Sequence, residues 1–92
     1  MLELVKLALR VSNTAFDAEI QNLIDAALAD LAMGGINTTN QDTLIQRAVI
    51  TYCKAYFGYD NPDADRLIKA YDMLKMHLML SSEYQAVVDS EI

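Results

Sequence analysis

Two side chains in this sequence are of the types that most often carry nucleophilic or acid–base chemistry: its only histidine, His77, and its only cysteine, Cys53. A catalytic imidazole needs a nucleophile or a carboxylate held beside it. Asp72 and Glu83 are near His77, but neither stands three or four residues away, the spacing that makes helix neighbours. His77 therefore reads as a surface or rim histidine. Cys53 lies between Tyr52 and Lys54. An adjacent lysine can lower a thiol pKa, but a cysteine in the middle of an apolar helix reads first as a small buried hydrophobe. One Cys and one His within a chain exclude both an intrachain disulfide and a thiolate–imidazole metal site.

The acidic group Asp60, Asp63 and Asp65 invites a calcium reading. An EF-hand loop spaces its ligands at alternate positions around an obligatory glycine. That spacing and that glycine are missing here, and helix capping explains Asp60 and Asp63 better. Phosphate-binding glycine loops, HExxH, CxxC and nucleophile-elbow motifs are also missing from the sequence. The expectation is a protein with no catalytic residues, no cofactor and no metal.

The totals narrow the class further. A chain of 92 residues makes one domain the default. A chain of this size buries only about 60–65% of the surface its unfolded form exposes, so partner subunits would add useful burial. Hydrophobic residues make up 53%, too many for a disordered chain. No apolar run approaches the roughly 18 residues of a membrane span. Glu3, Lys6 and Arg10 interrupt the N-terminal apolar stretch, and no small-residue cleavage site follows. The stretch resembles a signal peptide only weakly, and a cytosolic site of synthesis is expected. Seven Lys and Arg stand against 13 Asp and Glu, for a net charge of −6. Proteins that grip DNA through its phosphates are normally basic.

Glycine and proline punctuate the chain at Gly34-Gly35, Gly58 and Pro62. Four helical segments lie between these breaks. The first runs from Leu2 to about Arg10, with Leu4, Val5, Leu7, Ala8 and Val11 as its apolar stripe. It is too short to be stable unless docked. The second runs from about Ala15 to Met33, with Thr14 as its cap and Ile20, Leu23, Ile24, Ala27, Leu28 and Leu31 on its core face. Gly34-Gly35 supplies the left-handed residue that ends it. Ile36 to Gln41 reads as polar loop, with Thr39 or Asn40 as cap and Asp42 in the first turn of the third helix.

That third helix runs from about Gln41 to Phe57. Leu44, Ile45, Ala48, Val49, Tyr52, Cys53, Tyr56 and Phe57 face inward on this pattern, and Ile50 lies off the stripe. Burial on more than one side marks it as the central helix. The fourth runs from about Pro62 to Leu80, with Pro62 at its first position and Asn61 or Asp60 as cap. Leu67, Tyr71, Leu74 and Leu78 form one stripe, and Ile68, Met73, Met76 and Met79 extend the apolar surface beyond it. Residues 81–92 read as an extended C-terminal arm carrying Tyr84, Val87, Val88 and Ile92. The fold class is thus all-α: a small bundle of about four helices over residues 1–80, followed by that arm.

Two groups of side chains remain open in meaning. The methionines of the fourth helix are core filler or an adaptable protein-binding surface. Tyr52, Tyr56, Phe57, Tyr59 and Tyr71 suit a core or a subunit interface equally, because tyrosine is favoured where one end is dry and the other wet. With few basic residues among them they make a poor stacking platform for nucleic acid.

The order of these segments resembles a known family. A Leu-rich starter, Leu2-Glu3-Leu4-Val5-Lys6-Leu7-Ala8-Leu9-Arg10-Val11, precedes Thr14-Ala15-Phe16-Asp17-Ala18-Glu19-Ile20 and Leu23-Ile24-Asp25-Ala26-Ala27. Leu44-Ile45-Gln46-Arg47-Ala48-Val49-Ile50-Thr51-Tyr52 follows, ending at Phe57-Gly58. Over about residues 2 to 80 the chain resembles the head–tail connector (adaptor) proteins of long-tailed double-stranded DNA phages and prophages. It departs from them at Asp42-Thr43-Leu44, where Asp-Pro-Leu is frequent, and at Gly58-Tyr59-Asp60-Asn61, where a Glu-Asn-Arg-type exit is frequent.

The resemblance implies a viral structural protein. Its subunits would form a ring, commonly of twelve in the virion, beneath the portal protein. The ring would extend the DNA channel and dock head-closure or tail proteins, after assembly in the host cytoplasm. DNA would pass without specific binding, since an acidic wall repels its backbone. A ring needs two different faces on each subunit. The candidates are Leu4 and Leu7 on the first helix, Tyr59, the methionines Met73, Met76 and Met79, and Tyr84 and Val88 in the arm. The competing expectation is a small helical interaction module, such as an adaptor or an antitoxin-like regulator.

Overall fold

The computed structural model describes residues 1–85. Four α-helices follow one another: α1 (Leu2–Leu9), α2 (Asp17–Met33), α3 (Thr43–Tyr56) and α4 (Ala64–Leu80). A short 3-10 turn, Ser82–Tyr84, closes the described chain. α3 packs against each of the other three helices, and α1 also leans on α2. The central place expected for the third helix is therefore observed.

The periodicity of each sequence segment explains this packing. Ile20, Ile24, Ala27 and Leu31 recur every three or four residues and are all buried on α2. Ile45, Ala48, Val49 and Cys53 do the same on α3, and all four are sealed from solvent. Val5 from α1 and Tyr71 and Leu78 from α4 complete the core. Ile50 and Tyr52 are half-buried against it, which gives α3 its second packed side. Leu44 and Tyr56 depart from the inward reading: each is close to half exposed. They sit in the first and last turns of α3, beyond the neighbours that cover its middle.

Helix ends are where the structure departs most from the sequence pattern. Thr14 does not cap α2 with its side chain; Asn13 Oδ1 instead accepts from the Ala15 amide, and Phe16 holds the cap position. Asp42, not Thr39 or Asn40, caps α3, its Oδ1 accepting from the amides of Leu44 and Ile45 at 3.1 and 3.2 Å. Pro62 lies outside α4, whose cap is Asp63. Asn61 builds the approach: its Oδ1 accepts from the Asp63 amide, and its Nδ2 donates to the Lys54 carbonyl of α3. Ile36 departs from the polar-loop reading as well, since it is buried in the core.

α1 and α2 end in the same way. The amide of Val11 donates to the Lys6 carbonyl and that of Arg10 to Leu7, while Ile36 donates to Leu31 and Gly35 to Ala32. Both are Schellman turns, which require a left-handed residue at the penultimate donor. Gly35 takes that conformation at φ 86°; Arg10 takes it at φ 62° despite its side chain. Nothing lies within 4 Å of a Cβ placed on Gly35, so only backbone strain opposes substitution there. Gly35→Ala is expected to destabilise the chain by about 1 kcal/mol, the left-handed penalty less the entropy removed from the unfolded chain. Arg10→Gly is expected to shift stability the opposite way by a smaller amount. Urea unfolding of the two variants checks both signs.

Candidate assembly surface

Three polar links fix the helices on which the exposed surfaces sit. The Lys6 ammonium, on a side chain only 8% exposed, lies 2.7 Å from Asp17 Oδ1. That oxygen is itself buried and has no other partner. The contact ties α1 to the first residue of α2. On the far side of the bundle, Asp30 Oδ2 accepts from the Tyr71 hydroxyl and, at 3.0 Å, from the Lys75 ammonium. This joins α2 to α4. Tyr52 of α3 meets Tyr71 edge-on, ring centroids 5.2 Å apart. Gly34, at the end of α2, leaves room for Lys75 and Met79 of α4 to lie against it. None of these long-range pairs has a sequence signal, because their members are far apart in the chain.

These contacts set the titration behaviour. The Tyr71 hydroxyl, chiefly, holds the Asp30 carboxyl below its ordinary value, and Tyr84 does the same for Asp42. Burial pushes the Cys53 thiol up to about 12 and raises Tyr71 well above the usual phenol range. The Asp42 carboxylate pushes Tyr84 up to about 12. For the two carboxyls, the folded pKa lies below the unfolded one. Their contribution to stability is complete above the ordinary 3.8 and is lost as pH falls through the folded values. For Cys53 and the two tyrosines the folded pKa is raised. Their contribution is complete below the ordinary 9.0 and 10.0 and is lost as pH climbs toward the folded values. Urea midpoints should therefore hold level between about pH 5 and about pH 8.5 and fall on both sides. Cys53 should react with a thiol reagent only when the chain unfolds.

Among the described residues the chemically suggestive side chains stand apart from one another. His77 is exposed on α4. Cys53 is buried in the core. Asp63 pairs loosely with Arg66 at 3.4 Å on the surface. Among the described residues no three His, Cys, Asp or Glu side chains are grouped to hold a metal, and no helix is long and apolar enough to cross a membrane.

The exposed apolar residues form a clearer pattern. On α4, Tyr71 and Leu78 are buried, whereas Met73, Met76 and Leu80 are 63%, 61% and 77% exposed. Met73 follows Tyr71 by two residues, which turns it about 200° around the helix. Met73, Met76 and Leu80 repeat at spacings of three and four, so α4 carries a second apolar stripe opposite the one in the core. Met79, at 42%, lies on its flank near the end of α2.

The other candidate positions are distributed elsewhere. Leu4 and Leu7 form a small exposed pair on α1, at 44% and 77%. Tyr59 stands fully exposed in the α3–α4 turn. Tyr84 is half-buried and bonded to Asp42 within the chain. Val88 and the rest of the arm beyond Gln85 lie outside the described residues. Sequence reasoning missed Met33, Phe16 and Leu80 as exposed apolar residues. Met33 and Leu80 each end a helix, where an apolar residue can as easily cover the core as leave it. Phe16 packs edge-to-face on Phe57, ring centroids 5.7 Å apart, and is still 45% exposed.

A four-helix chain with a second, outward apolar stripe belongs to the class of small all-α proteins that leave an apolar helix face uncovered. The family model described as phage connector protein matches residues 1–85. The chain therefore belongs to the phage connector family and is a structural protein of the phage head–tail connector. No curated protein and no solved structure matches it.

Proposed function

We propose that this chain is the repeating subunit of a ring at the head–tail junction, seated beneath the portal and extending the channel through which DNA leaves. In this reading the helices of residues 1–80 form the ring wall, and the part of the arm beyond residue 85, which contains Val88, reaches a neighbouring protein. Twelve copies would complete the ring in the virion after assembly in the host cytoplasm, and its other end would dock head-closure or tail proteins. Leu4 and Leu7 on α1, Tyr59 beyond α3, and Met73, Met76 and Met79 on α4 would lie in contacts between subunits or with those partners.

The observation that carries this reading is the outward stripe of α4 in a chain matched along residues 1–85 by the connector family. An apolar stripe opposite the core-facing one has no use in a solitary helix bundle, where the outer face is normally polar. Apolar faces on two different helices suit the head-to-tail contact that a closed ring requires. The net charge of −6 suits a wall past which DNA slides.

The test is native mass spectrometry of the full chain, alone and mixed with a portal protein from the same phage genome. Rings, or a complex with the portal, are expected. A chain that stays monomeric at high concentration and ignores the portal would overturn the proposal.

A further inference from the structure

Asp42 has two occupied oxygens that serve different parts of the fold. Its Oδ1 caps α3 through the amides of Leu44 and Ile45. Its Oδ2 accepts from the hydroxyl of Tyr84, 42 residues further along the chain. Tyr84 is also held through its backbone: its carbonyl accepts from the Asn37 amide at 2.7 Å, and its own amide donates to Ser81. The next residue, Gln85, forms an isolated antiparallel bridge with Ile36. Ile36 is anchored in the core, with 1% of its surface exposed.

We propose that residues 81–85 are a strap, latched by Tyr84 over the α2–α3 loop, and that opening it also loosens the start of α3. The geometry supports a latch rather than incidental packing. At Ser81 the backbone becomes extended, at ψ 125°, so the chain leaves the axis of α4 directly after the exposed Leu80. Beyond that bend, the bridge, the Asn37–Tyr84 bond and the Tyr84–Asp42 bond hold it to the loop. They border an open polar notch of about 400 Å³ lined by Asn37, Asn40, Asp42, Glu83 and Tyr84. Such bonds are individually modest and exchange readily with water. The strap is therefore an element of low local stability beside a rigid core.

Because one carboxylate serves both the strap and the cap, the two are energetically linked, and the linkage runs in both directions. A protein that takes the loop 36–42 redirects the chain after Leu80. A protein that takes Tyr84 weakens the first turn of α3. The inference rests on these contacts alone and stands whether or not the ring reading does.

Amide hydrogen exchange on the full chain tests it, with Tyr84→Phe and Asp42→Ser beside the unaltered protein. Tyr84→Phe removes the hydroxyl that bonds Asp42 and keeps the ring. Asp42→Ser keeps a cap acceptor, since serine is a good N-cap, and removes the second oxygen. In Tyr84→Phe, the Asn37 amide and the Leu44 and Ile45 amides should all exchange at least about threefold faster. In Asp42→Ser, Asn37 should accelerate equally, because the same bond to the strap is lost. An unchanged Asn37 rate in Tyr84→Phe overturns the latch. Acceleration at Asn37 without any at Leu44 and Ile45 overturns the linkage.

Discussion

Replacing Met73 and Met76 together by Asp is expected to leave the isolated chain folded and to lower its assembly affinity at least about a hundredfold. Both side chains are more than 60% exposed, so the monomer loses little packing with them. Surface changes of that kind usually alter stability by no more than about 0.5 kcal/mol. In the proposed interface the same two positions would be apolar and dry. A carboxylate buried there without a partner costs several kcal/mol, and each 1.4 kcal/mol is about tenfold in affinity. Asn22→Asp, on an exposed position of α2, controls for added charge alone. Sedimentation velocity of the three proteins, with circular dichroism for the fold, measures the effect. Unchanged assembly in the double variant would remove the α4 stripe from the interface.

The second large effect concerns stability. Asp17→Asn is expected to cost about 3 kcal/mol, and Lys6→Met less than half of that. The difference follows from unequal burial: the Lys6 side chain is 8% exposed, that of Asp17 is 34%. Neutralising Asp17 strands an ammonium group in the core, where a lone charge costs about 3–5 kcal/mol when fully enclosed. Removing Lys6 instead leaves a carboxylate whose paired oxygen is buried but whose side chain is otherwise open to water, in the first turn of α2 where the helix dipole favours a negative charge. The double variant should recover most of the loss, because no charge then lacks a partner. Urea unfolding of the four proteins closes the cycle. If the two single variants cost the same, the asymmetry argument fails.

The sequence pattern made the helices legible and their joints much less so. α2 and α3 announce themselves because Ile20, Ile24, Ala27 and Leu31, and then Ile45, Ala48, Val49 and Cys53, keep one phase over several turns. Caps have no such redundancy. Between Asn37 and Asp42 most residues are polar, and which of them caps α3 depends on where Ile36 pins the chain into the core. Lys6 is a sharper case. In sequence it interrupts an apolar stretch and suggests solvent, yet it is buried, because Asp17 is brought to it by the turn at Arg10.

The candidate surface was legible in the same uneven way. Met73 and Met76 stand out by composition, but a stripe on the far side from Tyr71 is recognised only once the core face of α4 is known. Tyr84 shows the limit most clearly. As an aromatic residue in an acidic tail it reads as an outward contact, whereas its hydroxyl is engaged by Asp42 from a distant part of the chain. No local pattern encodes that pairing.

The outward methionines also bear on how the free subunit behaves before it meets a partner. A molecule that shows water a row of thioethers remains dispersed by mutual charge repulsion, here supplied by a net charge of −6. That protection vanishes as the medium is acidified toward the isoelectric point of about 4.4. Light scattering should rise there while the helices are still intact, and clumping, not unfolding, would be the first thing acid does to this protein.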